Sequence, residues 1–316
     1  MDPRIIYSPK YDIKLLGLSF LHPFDGSKFT KAYKFIEKSM GSGRLSKITV
    51  VPEYPAKPET LKLVHSDGYM NSLKSKDVIA KALEVSLINM LSLKTIQSKI
   101  ENPMKWAVSG TILAAELAFE HKLCFNIGGG FHHAHADKGE GFCLFADIPI
   151  AIESLRQKNM LDQSDKVLII DLDVHRGNGF ESIYAQDTSI QFFDMYNFQI
   201  YPGLYEDDET RFPYLIPVKS KSTGNDYLDT LKNELPKFIA ENSDAKLVFY
   251  NAGTDPYAGD KLGSLNLSAE DILDRDKIVL NSMKSANIPT VMVTSGGYSK
   301  KSYQLIGRTV EAMLVG

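Results

Sequence analysis

The fold is decided by the stretch KVLIIDLDVHRGNGF, residues 166–180. Its apolar run, Val167 to Ile170, is typical of a strand buried on both faces of a parallel sheet. Polar residues then follow at alternate positions, as Asp171, Asp173 and His175. Alternate residues of an extended chain share a face. We therefore expect these side chains to point together beyond the carboxyl end of the strand, where open α/β sheets bind ligands.

Carboxylates and an imidazole at this spacing suit a borderline divalent metal such as zinc. The pattern D-x-D-x-H also has a plain structural interpretation, in which an Asp caps a helix and the His is solvated. A short motif alone does not separate the two. Gly177 and Gly179 next allow the chain to turn into a helix that begins near Phe180.

Length and composition indicate an ordinary globular chain. Its 316 residues allow one large α/β domain or two ordinary ones, and 43% hydrophobic residues can supply a sizeable core. The formal net charge of −3 gives no electrostatic case for direct binding of nucleic acid or of an anionic membrane. No apolar run approaches the length of a membrane span, and the first residues lack the plan of a signal peptide.

The cysteine usage favours a reducing compartment. Cys124 and Cys143 have neither zinc-finger nor CxxC spacing, so we expect no disulfide framework. Together with the N-terminal sequence this predicts a cytoplasmic protein and leaves a nuclear role open. The oligomeric state is unknown at this level.

Strands and helices alternate along the whole chain, without internal repeats or breaks in composition. This pattern predicts one α/β domain over residues 1–316, with a central, mainly parallel sheet and helices on both faces. Helical periodicity covers residues 58–71 and 77–90, among others. Besides the strand of the opening stretch, the predicted strands are Arg4 to Ser8, Ile48 to Pro52, Leu123 to Ile127, Ser189 to Phe193, Lys246 to Tyr250 and Pro289 to Thr294.

Three further strand ends carry polar residues that suit catalysis. His132 and His133 follow a run of three glycines, and adjacent histidines suit acid/base work at neutral pH. Asp255 follows another buried strand, and Tyr298 follows the last one. Each has an ordinary alternative, as a cap, a turn carboxylate or a packing ring. If all four strand ends meet at one edge of one sheet, however, their residues together form a metal-dependent active site.

The segments that carry these residues are GGGFHHAHADKGEGFC (128–143), IIDLDVHRGNG (169–179), YNAGTDPYAGDKLGSLNLS (250–268) and VTSGGYSKKS (293–302). Together they resemble the zinc-dependent histone deacetylases of the arginase/deacetylase fold. The resemblance covers nearly the whole chain and is strongest to class IV, the histone deacetylase 11 type. It implies hydrolysis of the amide of ε-N-acyl-lysine in an acylated protein or peptide.

The resemblance also assigns roles to residues of this chain. It implies one catalytic zinc ion, with ferrous iron as an alternative in the cell, and a structural K⁺ near Asp171. It implies catalysis by His132, His133 and Tyr298, with Asp171 orienting His132. Asn178 stands behind His133, where class I enzymes carry an aspartate and class IV also has asparagine. The implied metal ligands are Asp173, His175 and Asp255, and the implied tunnel residues are Gly141, Phe142, Tyr201 and His22.

Taken alone, Phe142 suits a core position, and His22 in the LHPFD loop suits a structural role. Class IV members are associated with long-chain fatty acyl groups, so we expect these to be favoured over acetyl. Acetyl-lysine and small acetylated amines such as polyamines are the alternatives.

A dimanganese ureohydrolase is disfavoured, because Gly177 stands where a bridging carboxylate would be needed. A non-catalytic binding module is disfavoured because every catalytic-type residue is present.

Overall fold

A computed structural model describes residues 3–13, 24–203 and 211–315. Within these ranges the strands form one eight-stranded sheet in the order β2-β1-β3-β8-β7-β4-β5-β6, and every neighbouring pair is parallel. The strands are β1 Arg4–Ile6, β2 Thr49–Val50, β3 Leu123–Asn126, β4 Val167–Asp171, β5 Ile190–Asn197, β6 Tyr214–Val218, β7 Leu247–Asn251 and β8 Thr290–Val293.

Helices flank this sheet, and the expectation of an α/β fold with a central parallel sheet is confirmed. The α-helices are α1 Lys28–Met40, α2 Ser42–Ile48, α3 Pro58–Leu61, α4 Asp67–Ser72, α5 Lys76–Ala82, α6 Leu93–Ile96, α7 Asn102–His121, α8 Asp147–Gln157, α9 Asn178–Ile183, α10 Gly224–Glu241, α11 Ala269–Ala286 and α12 Ser302–Val315. Single turns of 3₁₀-helix cover Pro9–Tyr11 and Ser86–Met90, and a π-helical turn covers Gln97–Glu101.

The two central strands have the apolar sequences that their positions require. All five residues of β4 and all five of β7 are buried, because helices cover both faces of the sheet there. The long helices opposite them begin at side-chain caps. Thr223 and Asp226 form a capping box at the start of α10, and Ser268 and Asp271 form another at the start of α11.

Two predicted helices are interrupted in the structure. The helix predicted over 58–71 divides into α3 and α4, because Ser66 accepts a hydrogen bond from the Tyr69 amide and starts a new helix there. The helix predicted over 77–90 ends at Ala82, and Glu84 has a positive φ of 54°. Strand β6 is absent from the prediction.

The strand order decides where the site lies. The strands β3, β8, β7 and β4 are neighbours at the centre of the sheet. The segments that follow them carry His132, Tyr298, Asp255 and Asp173 respectively. Since the strands are parallel, all four segments emerge at the same edge of the sheet.

Candidate active site

Three buried side chains converge at the carboxyl ends of β4 and β7. Asp173, His175 and Asp255 each offer one ligand-type atom, and these atoms lie within 4.8 Å of one another. The His175 Nδ1 atom is 3.0 Å from Asp173 Oδ1 and 3.4 Å from Asp255 Oδ2. The other oxygen of Asp255 accepts a hydrogen bond from the Val174 amide at 2.9 Å. Asp173 Oδ2 likewise accepts the Gly296 amide at 2.9 Å.

The donor set fits a divalent cation. Among the described residues, the buried Asp255 Oδ2 has no hydrogen-bond partner, and it faces the two other ligand-type atoms. Burial, reinforced by the Asp173 carboxylate, raises the pKa of Asp255 to about 7. Burial lowers the pKa of His175, but the adjacent carboxylates of Asp173 and Asp255 outweigh it and raise this pKa to about 10. The three groups therefore stabilise positive charge between them, and two carboxylates with one imidazole are ligands that zinc accepts.

The paired histidines have opposite electrostatic environments. The His132 Nδ1 atom donates to Asp171 Oδ2 at 2.8 Å, and the His133 Nδ1 atom lies 2.7 Å from Asn178 Oδ1. Burial lowers the pKa of His132, but the carboxylates of Asp171 and Asp173 outweigh it and raise this pKa to about 9. Burial, with His132 and His175 adding to it, holds the pKa of His133 well below its usual value. His132 is thus suited to carry a positive charge, and His133 to act as a neutral base.

A buried carboxylate shapes the turn that carries the two histidines. Asp147, the first residue of α8, accepts hydrogen bonds from the amides of Gly130 at 3.0 Å and Phe131 at 2.8 Å. The Thr111 hydroxyl donates to the same carboxylate at 2.6 Å. Gly130 has a φ of 82°, and a Cβ atom there would lie 2.4 Å from Asn251 Oδ1. The turn therefore requires glycine at this position, and Asp147 holds it in place.

A cavity leads to this constellation. The Tyr298 ring packs edge-on against Phe142, with centroids 5.9 Å apart, and lies 6.2 Å from His175. Gly141 adopts a φ of 51°, and a Cβ there would lie 2.3 Å from the His133 ring. Gly141, Phe142 and Tyr298 thus bound the cavity beside the histidine pair. Its apolar lining is completed by Leu83, Val85, Ile88, Ile100, Met104, Phe131 and Cys143, and on the other side by Ile13, Phe24 and Phe29.

Tyr201 lies next to His133, one of the residues that line this cavity. Its side chain is 39% exposed, and its ring packs edge-on against His133 with centroids 5.0 Å apart. The Tyr201 hydroxyl donates to Glu140 Oε1 at 2.6 Å. The cavity wall itself is formed by Gly141 and Phe142 and does not include Tyr201. The remaining predicted tunnel residue, His22, lies outside the described residues.

Comparison with protein families identifies this arrangement. The model of the histone deacetylase domain matches residues 22–314. The chain belongs to the histone deacetylase family. The prediction of an amide hydrolase is thereby confirmed, since deacetylases hydrolyse the amide of acyl-lysine.

Individual family members are similar over most of the chain. Histone deacetylase 2 of Arabidopsis thaliana is 41% identical over 308 residues, which are 97% of this chain and 77% of that protein. Histone deacetylase 8 of Xenopus laevis is 28% identical over 222 residues, 66% of this chain and 65% of that protein. The crystal structure of a histone deacetylase homolog in complex with SAHA has a TM-score of 0.74 at 20% identity. The match covers 99% of this chain and 83% of the homolog, and this similarity shows the fold.

Lys28 is a residue of the site that was not predicted from the sequence. Lys28 is 1% exposed, and its ammonium group donates to the carbonyls of Ser295 at 2.5 Å and Gly296 at 2.9 Å. It thereby holds the segment that leads to Tyr298. A signal was present in the sequence, since Lys28 precedes Ala32 and Ile36 at intervals of four on the buried stripe of α1. A lysine on a core-facing stripe requires a partner.

The described ranges contain no helix that is both long and apolar enough to span a bilayer.

Proposed function

We propose that this family member hydrolyses the ε-amide of acyl-lysine in a protein or peptide, with a zinc ion held by Asp173, His175 and Asp255. The observation that carries the proposal is the convergence of three ligand atoms beside a pair of histidines with opposite pKa shifts. A divalent ion held by these residues supplies Lewis acidity, which polarises an amide carbonyl and acidifies water. Ferrous iron is the alternative ion, and metal analysis of protein purified without oxygen separates the two.

The base in this mechanism is His133. Its Nδ1 atom is engaged by the amide oxygen of Asn178, so its proton lies on Nδ1 and the lone pair on Nε2 is free. His133 takes a proton from the attacking water at that atom and later delivers it to the leaving lysine amine. His132 remains charged through its hydrogen bond to Asp171 and stabilises the negative charge that develops beside it.

Tyr298 donates a hydrogen bond to the oxyanion that develops on the substrate carbonyl. Its backbone amide donates to Asp260 at 2.6 Å, and Lys28 binds the two carbonyls that precede it, so the phenol is held before the substrate arrives. Preorganised donors of this kind stabilise the transition state without reorganisation. Phe142 packs on the phenol ring and borders the space for the methylene stem of the substrate lysine.

We also propose a monovalent cation, K⁺, near Asp171. Strands β4 and β5 place Asp171 beside Asp194, and both carboxylates are fully buried. Burial and the Asp171 charge raise the pKa of Asp194 well above its usual value. Within the described part of the chain, Asp194 Oδ1 has no hydrogen-bond partner. A cation beside these carboxylates would satisfy that oxygen. Dialysis into sodium-free and potassium-free buffer tests this, since loss of K⁺ should lower thermal stability.

The finer proposal is class IV membership with a preference for long-chain acyl groups. Asn178, where class I carries aspartate, supports the class, and the apolar cavity lining supports the preference. Met104, which is unbranched and flexible, belongs to this lining and is suited to move aside for a longer chain.

The test compares acyl groups on one peptide. We expect kcat/KM for myristoyl-lysine to exceed that for acetyl-lysine, and both to exceed that for acetylated polyamines. A kcat/KM for acetyl-lysine equal to or above that for myristoyl-lysine would remove the acyl preference while leaving the deacylase proposal intact. Absence of hydrolysis of every acyl-lysine peptide by the zinc-loaded protein would remove both.

We further propose that residues 1–316 act as a single catalytic domain in a reducing, cytoplasmic compartment. The continuous sheet supports the first part, and the free, buried thiols of Cys124 and Cys143 support the second. Limited proteolysis and subcellular fractionation test these two statements.

A further inference from the structure

The segments that carry the metal-ligand residues lie just beyond the paired part of β4 and β7. The register of β4 and β7 pairs Asp171 with Asn251, and one more backbone hydrogen bond follows, from the Leu172 amide to the Asn251 carbonyl at 3.0 Å. Asp173 and Asp255 lie beyond this point. Their separation decides whether both can bind one ion, so the contacts that join the two segments there matter for the site.

Arg275, on helix α11, contacts both of these segments. It lies on α11 with 0% of its surface exposed. A single nitrogen, Nη1, donates to the carbonyl of Leu172 at 2.9 Å and to the carbonyl of Gly253 at 2.7 Å. Leu172 directly precedes Asp173, and Gly253 stands two residues before Asp255. One guanidinium nitrogen therefore ties together the two backbones that present the carboxylates, in addition to the hydrogen bond from the Val174 amide to Asp255 Oδ1.

The guanidinium is itself held rigidly by Asp276. Its Nε and Nη2 atoms donate to Asp276 Oδ1 at 2.9 Å and 2.7 Å. The Tyr250 hydroxyl donates to the same oxygen at 2.5 Å, and the Thr309 hydroxyl donates to the other oxygen at 2.5 Å. The Arg275 side chain is thus fixed on both sides, toward the helices and toward the strand ends.

The sequence of α11 indicates that this pair does more than fill the core. Buried residues recur on one stripe of the helix, and Arg275 and Asp276 interrupt an otherwise apolar set. The stripe consists of Ile272, Arg275, Asp276, Val279, Leu280 and Met283. A buried ion pair is often no more stabilising than apolar residues of similar volume. The stability of the core therefore does not require the pair, whereas the two carbonyls at the strand ends share the Nη1 donor, which the remainder of the guanidinium anchors on Asp276.

We propose that Arg275 is a positioning residue for the metal site, which sets the separation of Asp173 and Asp255 through the carbonyls of Leu172 and Gly253. This inference rests on the proposed function, in which Asp173 and Asp255 bind the ion. It predicts that changes at Arg275 weaken metal binding even where the fold is kept. Lysine retains the charge but not the fork, so it cannot replace the full set of contacts.

The experiment measures the zinc dissociation constant of the full chain by competition with a chromogenic chelator. The variants are Arg275→Lys and the double variant Arg275→Met/Asp276→Asn, which removes the charge from both partners and so avoids an unpaired buried carboxylate. Arg156→Lys is the matched control. Arg156 is a buried arginine paired with Asp187, and it lies near the amino end of β5, away from the metal ligands. Thermal unfolding of each apo protein establishes that it is folded.

We expect both Arg275 variants to bind zinc about 10- to 100-fold more weakly than the wild type, the usual effect of removing a group that orients metal ligands. The Arg156→Lys protein should bind zinc as the wild type does. With cobalt in place of zinc, the visible absorption bands should shift in the Arg275 variants and not in the control. Folded Arg275 variants with wild-type zinc affinity would overturn the inference.

Asp255→Ala separates this inference from the proposed function. Tight zinc binding by the wild type, lost in Asp255→Ala but kept in folded Arg275 variants, would refute the role of Arg275 alone. Equal zinc binding by the wild type and Asp255→Ala would refute the metal site, and with it both proposals.

Discussion

Replacing Tyr298 by phenylalanine tests the oxyanion role with the smallest chemical change. The variant removes one hydroxyl and keeps the ring, whose contacts with Phe142 and His175 can all persist. The backbone contact with Asp260 and the Lys28 contacts with the preceding carbonyls do not involve the phenol. The free energy of unfolding should therefore change by no more than the net value of one hydrogen bond, about 0.5–1.5 kcal/mol.

The effect on catalysis should be larger than the effect on stability. Loss of one preformed oxyanion donor lowers kcat by roughly 10²- to 10³-fold, or about 2.7–4 kcal/mol in activation free energy. KM should change little, because the hydroxyl acts mainly in the transition state. This contrast between activation free energy and unfolding free energy distinguishes a catalytic hydroxyl from a structural one.

The assay is steady-state hydrolysis of an acetyl-lysine peptide, together with zinc per chain and chemical denaturation. Tyr201→Phe is the matched control, since it deletes a hydroxyl that is bonded to Glu140 and does not line the cavity. We expect near wild-type kcat for the control. A Tyr298→Phe protein with full zinc and near wild-type kcat would refute the reasoning, because the phenol would then point away from the reacting carbonyl.

Three further changes test other parts of the site. Asp255→Ala should abolish tight zinc binding and activity, and full zinc occupancy by elemental analysis would contradict the ligand assignment. Asn178→Asp places a negative charge beside His133 and so raises the pKa of His133. The base must be neutral, so the acid limb of kcat/KM against pH should move to higher pH in the variant. If the acid limbs of the wild type and the variant coincide at equal metal content, then His133 is not the base or residue 178 does not contact it. Lys28→Met leaves the buried Ser295 carbonyl without its donor, at about 1–3 kcal/mol, and removes one donor of the Gly296 carbonyl, which keeps the Thr254 amide at 3.3 Å. Denaturant titration should show a lower free energy of unfolding, and steady-state kinetics should show a lower kcat. If both values are unchanged, Lys28 does not support Tyr298.

The sequence predicts those strands that are buried on both faces. In β4 and β7 every residue is apolar or lies at the polar end of the strand, so the run itself is diagnostic. Strand β6 is different because it lies at the edge of the sheet and contains the exposed Pro217. Proline within a short run argues against a strand, except at an edge, where its missing amide is not needed. Edge position depends on the fold of the whole chain, which local sequence does not contain.

A similar limit applies to the site. His132, Asp173 and Asp255 are predicted together because the carboxyl ends of parallel strands meet at one edge, and the structure places them side by side. Lys28 and Arg275 are different, since each binds backbone carbonyls of distant segments. Every residue offers a carbonyl, so no sequence motif marks such a partner. Only an unexpected charge on a core-facing stripe gives a hint.

The parallel order of the sheet also has a consequence for how the protein would acquire the proposed metal. Asp171 and Asn251 are neighbours in the sheet although they are 80 positions apart in the chain. Contacts between such distant residues form late and slowly, because a long loop must first be closed. The ligand atoms therefore come together only when the centre of the sheet has assembled. We therefore expect a metal ion to bind the assembled strand ends after folding, and not to nucleate the chain.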